Sequence, residues 1–252
     1  MADAIVCESV SKRFTLRESR TLKRRLVARA HGREANRSFL ALDTVTFTVE
    51  QGESIGLMGL NGSGKSTLLK LISGVMRPDS GDVLTRGAIA GLIEVTAGFH
   101  AQLSGRENIY LNAAILGMSE TEINRKFDEI VDFSGIEKFL DTPVGNYSSG
   151  MYARLGFSVA VSAESDIFII DEVLAVGDPP FKKKCIRRIK EIRDQGRTIV
   201  FVSHNTTQVQ RICNRALVLE QGVLTFDGTV KDAIHKLRYD DDDDVDAEGG
   251  EL

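Results

Sequence analysis

Nine consecutive residues, Gly59-Leu60-Asn61-Gly62-Ser63-Gly64-Lys65-Ser66-Thr67, restrict this chain more than any other stretch. The apolar run Ser54 to Met58 precedes them and reads as a buried strand. Leu68-Leu69-Lys70-Leu71-Ile72 follows them and reads as a helix. Gly59 to Ser66 has the phosphate-loop spacing of glycine, four residues, glycine, lysine, serine. Glycines let the backbone curl until successive N–H groups face one concavity, a nest for anionic oxygens. The helix that follows turns its positive end toward the same place. Gly59, Asn61, Gly62, Ser63 and Gly64 are therefore expected to form the cradle. Lys65 would bring a point charge to the β- and γ-phosphates, and the Ser66 hydroxyl is a hard oxygen ligand for Mg²⁺.

Composition sets loose bounds. The chain has 252 residues, 42% hydrophobic and 27% charged, ordinary for a soluble globular protein. A net charge of −4 gives no reason to expect a nucleic-acid partner. No apolar run approaches the length of about 20 residues that a membrane helix needs. Met1-Ala2-Asp3-Ala4 lacks the basic start and apolar core of a secretory signal. Cys7, Cys185 and Cys213 are odd in number and far apart, as buried thiols in a reducing compartment would be.

Along the chain, Ile5 to Val10 reads as a short strand. Between Thr15 and Ser38 lie Arg17, Arg20, Lys23, Arg24, Arg25, Arg29, Arg33 and Arg37, against Glu18 and Glu34. Within this basic segment Leu22, Leu26 and Ala30 share one side of a helix. It is either a solvated surface helix or a contact with anionic lipid headgroups or a membrane partner. Thr44 to Glu50 alternates as a half-buried strand, and Glu50 to Glu53 reads as a hairpin-like turn. Val83-Leu84 and Ala88 to Ile93 read as short strands.

From about 102 to 163 the period becomes helical. Ile109, Ala113 and Leu116 are in phase. Ser119 is placed as an N-cap, and Ile123, Phe127, Ile130 and Val131 form one apolar face. Phe127, Phe133 and Phe139 are expected to pack the core of this helical subdomain. Strand signals return at Ile167 to Ile170 and Thr198 to Val202, with the basic amphipathic helix Phe181 to Asp194 between them. A hairpin turns at Gln221-Gly222, and Val230 to Leu237 reads as a final helix. From Tyr239 onward the chain is an acidic tail with nothing to bury, expected to be disordered.

The second half carries the remaining chemistry. Asp171 ends an apolar strand, where it would lie beside the phosphate loop and hold Mg²⁺ directly or through water. Glu172 follows it and would polarise an attacking water. His204 follows the next strand and would reach the γ-phosphate from the far side. Tyr147-Ser148-Ser149-Gly150-Met151 precedes a helix expected over Tyr152 to Ala163, so Ser148 and Gly150 make a second anion-binding end. Two such grips, distant in the chain, are hard to bring onto one nucleotide. Two copies facing head to tail would solve this, each phosphate loop meeting the other copy's Ser148 and Gly150.

The order of phosphate loop, Ser-Ser-Gly, Ile-Ile-Asp-Glu and Ser-His resembles the ATPase subunit of ABC transporters over nearly the whole chain. Asp171-Glu172-Val173-Leu174-Ala175-Val176-Gly177-Asp178, with Gly105-Arg106-Glu107-Asn108-Ile109, resembles the subfamily that exports polysaccharides, among them O-antigen, teichoic acid and galactan exporters. The resemblance implies an α/β phosphate-loop NTPase core with an antiparallel β-subdomain and an inserted helical subdomain. It implies one ATPase domain over 1–238, a basic inserted segment over about 15–38 at the membrane partner, and the tail over 239–252.

Also implied are ATP and Mg²⁺ as ligands, phosphate and Mg²⁺ binding by Lys65, Ser66 and Thr67, metal support from Asp171, and Glu172 as general base. His204 becomes the γ-phosphate contact, and Asp178 a residue of the dimer interface. Adenine would stack on an aromatic near the N-terminus, Phe14 first and Phe39 second. The partners implied are a second ATPase subunit, two integral-membrane permease subunits and a lipid-linked polysaccharide of galactan or O-antigen type. The place is the cytoplasmic face of the inner membrane.

The chain departs from the family at Ser149 and Met151, where glycine and glutamine are usual. The glutamine expected after Ile93 is missing, with Glu94 or Gln102 in its stead. Some O-antigen exporters append a sugar-binding β-domain, whereas this chain stops at the acidic tail. Recognition of a chain-end cap by this subunit is therefore not expected. The rival is a soluble ABC-type regulatory ATPase without a membrane partner. A kinase or GTPase is opposed by the paired Ser-Ser-Gly and Ser-His elements and by the absence of an Asn-Lys-x-Asp motif.

Overall fold

A computed structural model describes residues 2–16, 37–91, 98–171, 178–203 and 205–237. Two sheets form the frame. Strands β1 (Asp3–Leu16), β2 (Arg37–Glu50) and β4 (Ser80–Thr85) make an antiparallel sheet in the order β2-β1-β4. Strands β5 (Ile89–Gly91), β6 (Ile167–Ile170), β7 (Thr198–Val202), β3 (Ser54–Met58), β8 (Arg215–Glu220) and β9 (Val223–Thr229) make the second sheet in that order. It is parallel except where β8 pairs with β9. The fold is α/β, with helices α1 (Lys65–Ile72), α2 (Gly105–Ile115), α3 (Glu120–Ser134), α4 (Ser149–Ser162), α5 (Pro179–Asp194) and α6 (Thr206–Ile212). A further helical run covers 230–237.

Alternation along the central strands divides the core in two, because successive side chains leave opposite faces. Ile55, Leu57, Ile167, Ile169, Val200, Val202, Leu217 and Leu219 pack with α1 and with apolar residues of β1 and β2. Met58, Phe168, Ile170, Ile199, Phe201, Ala216 and Val218 pack with the helical side. Strands buried on both faces read as continuous apolar runs for this reason. Gly56 keeps the helical side close: a Cβ there would stand 2.5 Å from Val209 Cγ1.

Several expectations are lengthened or corrected. The run Ile5 to Val10 is part of a strand reaching from Asp3 to Leu16, and Thr44 to Glu50 is part of Arg37–Glu50. Four register shifts between β1 and β2 break the strict period of two, which hides the extra length. The turn at Glu50 to Glu53 is not a hairpin: β2 and β3 lie in different sheets, so it carries the chain between them. The helix after Ser148 starts at Ser149.

The helical region is built on capped ends. Ser104 with Glu107, and Ser119 with Glu122, form reciprocal capping boxes at α2 and α3. Phe133 meets Phe157 and Phe181 at centroid distances of 6.0 and 5.8 Å. Phe127 packs against Tyr110 at 5.6 Å. Phe139 is the exception to the expected aromatic core and is 48% exposed. It sits in a 3₁₀ turn whose inward positions go to Ile136 and Leu140.

Beyond the frame, the β8–β9 hairpin turns at Gln221 and Gly222, both with positive φ, as a two-residue turn between right-twisted strands requires. All three cysteines are buried and free. No helix among the described residues is long and apolar enough to cross a membrane. The inserted basic residues 17–36 and the tail 239–252 lie outside the described residues.

Candidate functional site

The site grows from β3, fully buried between β7 and β8. The chain leaves β3 through Gly59, with φ at +138°, where a Cβ would stand 2.1 Å from the Leu219 carbonyl oxygen. No residue with a side chain fits there. Gly64, with φ at +107°, caps α1 without a side-chain bond. The first N–H groups of a helix have no intrahelical partner, so this start faces outward as an anion site. Behind the loop, the Gly222 amide donates to the Ser63 carbonyl at 3.0 Å. The hairpin tip thus braces the cradle.

Asn61, Gly62, Gly64, Lys65, Ser66, Thr67 and Asp171 line one cavity of about 530 Å³, together with Phe39, Ala41 and Val202. Residues more than a hundred positions apart meet there because β6 and β3 are separated only by β7. A second cavity, of about 540 Å³, lies at the opposite end of the strands among Gln51, Arg86, Ser165 and Arg197. It holds none of the expected phosphate-binding residues, so the chemistry belongs to the first.

Charge within the site is balanced by burial. Lys65 Nζ donates to the Gly59 and Leu60 carbonyls, each at 2.7 Å. Burial lowers the Lys65 pKa and the Asp171 charge opposes that shift. Burial raises the Asp171 pKa and the Lys65 charge opposes it in turn. For both groups desolvation outweighs their mutual attraction. Such a pair gains from a polyanion beside the lysine and a divalent cation beside the carboxylate. Ser66 and Asp171 offer hydroxyl and carboxylate oxygen to the same cavity, a hard donor set that suits Mg²⁺.

The remaining expected residues fall into different places. Gly59 and Ser63 do not line the cavity but hold the loop from behind; the Ser63 hydroxyl is buried there without a partner among the described residues. The two aromatic candidates for the adenine platform, Phe14 and Phe39, differ in their place relative to the cavity. Phe39, 48% exposed, lines the cavity, and Phe14 stacks behind it at 5.6 Å with rings 27° apart. Phe14 and Phe39 are cross-strand partners on one face of the sheet, and of the two it is Phe39 that lines the cavity. No local motif in the sequence distinguishes the surroundings of the two rings.

Ser148 and Gly150 are not part of the cavity lining. Ser148 caps α4, its Oγ accepting the Met151 amide at 3.2 Å. Asp178 caps α5, its carboxylate accepting the Phe181 amide at 3.3 Å and a bond from Arg154 Nη2 at 2.5 Å. Burial acts to raise the Asp178 carboxyl, but these bonds win and hold it below the ordinary value. No local motif joins Arg154 to Asp178, and sequence reasoning missed the contact. Gln102 is exposed. Glu172, His204 and Glu94 lie outside the described residues.

The geometry agrees with comparisons against known proteins. The family model described as ABC transporter matches residues 42–175. The chain is 50% identical over 184 residues to the O-antigen export system ATP-binding protein RfbB of Klebsiella pneumoniae, covering 73% of this chain and 75% of that protein. It is 45% identical over 194 residues to the teichoic acids export ATP-binding protein TagH of Bacillus anthracis, covering 77% of this chain but 35% of that longer protein. A solved structure titled as the ATP binding subunit of an ABC transporter superposes with a TM-score of 0.73 at 26% identity, over 93% of each chain.

Proposed function

The chain belongs to the ABC transporter family, and from that premise we propose that it is the ATP-binding and hydrolysing subunit of an exporter of lipid-linked polysaccharide. The cargo is of galactan or O-antigen type, and the resemblance to an O-antigen export ATP-binding protein over most of the chain supports the O-antigen form. One observation carries the ATPase reading: Lys65, Ser66 and Asp171 share a cavity whose upper wall is an exposed aromatic ring.

In this account the phosphates lie on the backbone of 61–67, and adenine lies on Phe39. Lys65 leaves the Gly59 and Leu60 carbonyls for the β- and γ-phosphate oxygens. Both sets of acceptors lie on the same loop, so the side chain exchanges one set for the other. Ser66 and Asp171 would hold Mg²⁺, which when bound supplies neutralising charge to the phosphate oxygens. Glu172 takes a proton from the attacking water, and His204 contacts the γ-phosphate. Ser148 and Gly150 come from a second copy, whose α4 brings its positive end to the γ-phosphate. Their separation from the cavity supports this arrangement, since one copy does not complete its own site. The closing of two copies on two ATP molecules would then be passed to two membrane permease subunits, with this chain a peripheral subunit on the cytoplasmic side.

Replacing Glu172 with Gln tests the reaction. Turnover should fall about 10²- to 10⁴-fold, the usual worth of a general base, while ATP binding persists and a nucleotide-bound dimer accumulates on gel filtration. Unchanged turnover would remove Glu172 as the base. Purification with the membrane subunits from the source membrane, followed by ATPase assay with polyprenyl-linked glycans, tests the cargo. Stimulation by none of them would overturn the export reading.

A further inference from the structure

The two ends of the cavity belong to different parts of the fold. Phe39 and Ala41 lie on β2 of the antiparallel sheet, whereas the phosphate loop follows β3 of the parallel one. A ligand that spans both is held only as firmly as those parts are held to each other. The tip of the β8–β9 hairpin bonds to both. The Gly222 amide donates to the Ser63 carbonyl at 3.0 Å, and the Gly222 carbonyl accepts the Asp43 amide at 2.8 Å. The fit leaves no room for a side chain. Gly222 has φ at +86°, and a Cβ there would stand 2.8 Å from the Ala41 carbonyl oxygen and 3.2 Å from Leu42 Cα. A Cβ on Gly64 would stand 2.6 Å from that same oxygen. The backbone of the strand that carries Phe39 therefore packs directly on two glycines, one in the cradle and one in the hairpin tip.

We propose, resting on the ATP site described above, that Gly222 is a positioning residue that sets the span between the adenine platform and the phosphate cradle. It does not line the cavity. Its two backbone bonds hold β2 and the phosphate loop at one separation, and the absence of a Cβ lets them close on it. ATP gains from this because, once its phosphates are seated, the base meets Phe39 without a further loss of freedom. A hairpin tip pushed off β2 leaves each half of the nucleotide a place to bind but no longer at matching distance.

The substitutions must separate span from folding. Gly222→Ala drives a methyl group against the backbone of β2, which cannot turn aside as a side chain could. Gly196→Ala is the control: with φ at +80° it carries a similar backbone cost, but its Cβ meets nothing within 4 Å. Inserting one glycine between Gln221 and Gly222 displaces the tip without adding a methyl group, and replaces Gly222→Ala if that variant does not fold. Affinities for ATP and for inorganic triphosphate are measured by isothermal titration, with thermal melting beside them. The proteins are wild type, the hairpin variant, Gly196→Ala, Phe39→Ala, and Phe39→Ala combined with the hairpin variant.

The hairpin variant should bind ATP about 10- to 100-fold more weakly, the scale of a misplacement of about 1 Å. Its loss for triphosphate should be at least about 5-fold smaller, since triphosphate does not reach the platform and a lost stacking contact is worth that much by itself. In the Phe39→Ala background this excess loss for ATP should disappear, because both changes remove one and the same contact. A purely structural role for the glycine would weaken both ligands alike and add to the effect of Phe39→Ala. Equal losses for ATP and triphosphate, additive losses in the combined variant, or a matching ATP-specific loss in Gly196→Ala overturns the span role while leaving the ATP site standing. Failure of the wild-type protein to bind ATP overturns the site and the span role with it.

Discussion

Phe39→Ala isolates the aromatic wall of the cavity. The ring is 48% exposed and shares the lining with Ala41 and the phosphate loop, while Phe14 covers its other face at 5.6 Å. Stacking of a base on an aromatic side chain is worth about 1–3 kcal/mol by alanine substitution. ATP affinity should therefore fall about 5- to 150-fold. The ring pair contributes a further 0.5–1.5 kcal/mol, roughly, to folding, so the variant should melt only slightly lower. Phe14→Ala removes the same ring pair but leaves the outward ring in place. It should cost a similar amount of stability and much less affinity. Isothermal titration with ATP measures the two variants, and titration with inorganic triphosphate serves as a control that neither should change. A larger affinity loss for Phe14→Ala than for Phe39→Ala, at equal stability, would refute the assignment of Phe39 as the platform.

Gly59→Ala should be far more damaging than Gly62→Ala, although both glycines have positive φ. The first Cβ would stand 2.1 Å from a backbone oxygen, whereas the second meets nothing within 4 Å. Thermal melting should show a loss of about 1–2 kcal/mol for Gly62→Ala, the backbone cost alone, and more than about 3 kcal/mol for Gly59→Ala. Burial pushes Cys7, Cys185 and Cys213 up to about 12. A thiol reagent at pH 8 should leave all three unmodified in the native protein and modify three per chain in denaturant; rapid native labelling would contradict the core described. Ser119→Ala should cost about 1 kcal/mol at neutral pH by removing the α3 cap. The Ser119 hydroxyl and amide hold the Glu122 carboxyl below its ordinary value. That contribution is complete above the unfolded carboxyl pKa and is lost as pH falls through the folded one. The gap between wild type and variant should accordingly narrow in acid, and a widening gap would reverse the sign of the linkage.

What was legible in the chain depended on how local the physical cause was. The strands β3, β6 and β7 and the α3 cap announce themselves through runs or spacings of a few residues. The meeting of Asp171 with Lys65 was also legible, because an acidic residue at the end of a buried strand has a fixed place relative to the phosphate loop in a parallel sheet. The full lengths of β1 and β2 were not, since bulges disturb the alternation that a strand normally shows. Phe139 was misplaced because a hydrophobic residue in a short 3₁₀ turn follows neither of the periods by which faces are assigned.

The contact of Phe14 with Phe39 depended on register across a strand pair, and the Arg154–Asp178 bond on how two helices dock. Neither quantity is written in any single window of sequence. The same reasoning explains why the expected phosphate-binding residues divide into two groups. Asn61, Gly62 and Lys65 can be identified from the loop itself, since their neighbours in space are their neighbours in the chain. Gly59 and Ser63 owe their roles to the hairpin tip at Leu219 to Gly222, which the loop motif does not contain. A motif match therefore identifies the chemistry before it identifies the support. In this protein the support comes from β8 and β9, so changes at the hairpin should be felt at the triphosphate although no hairpin residue lines the cavity.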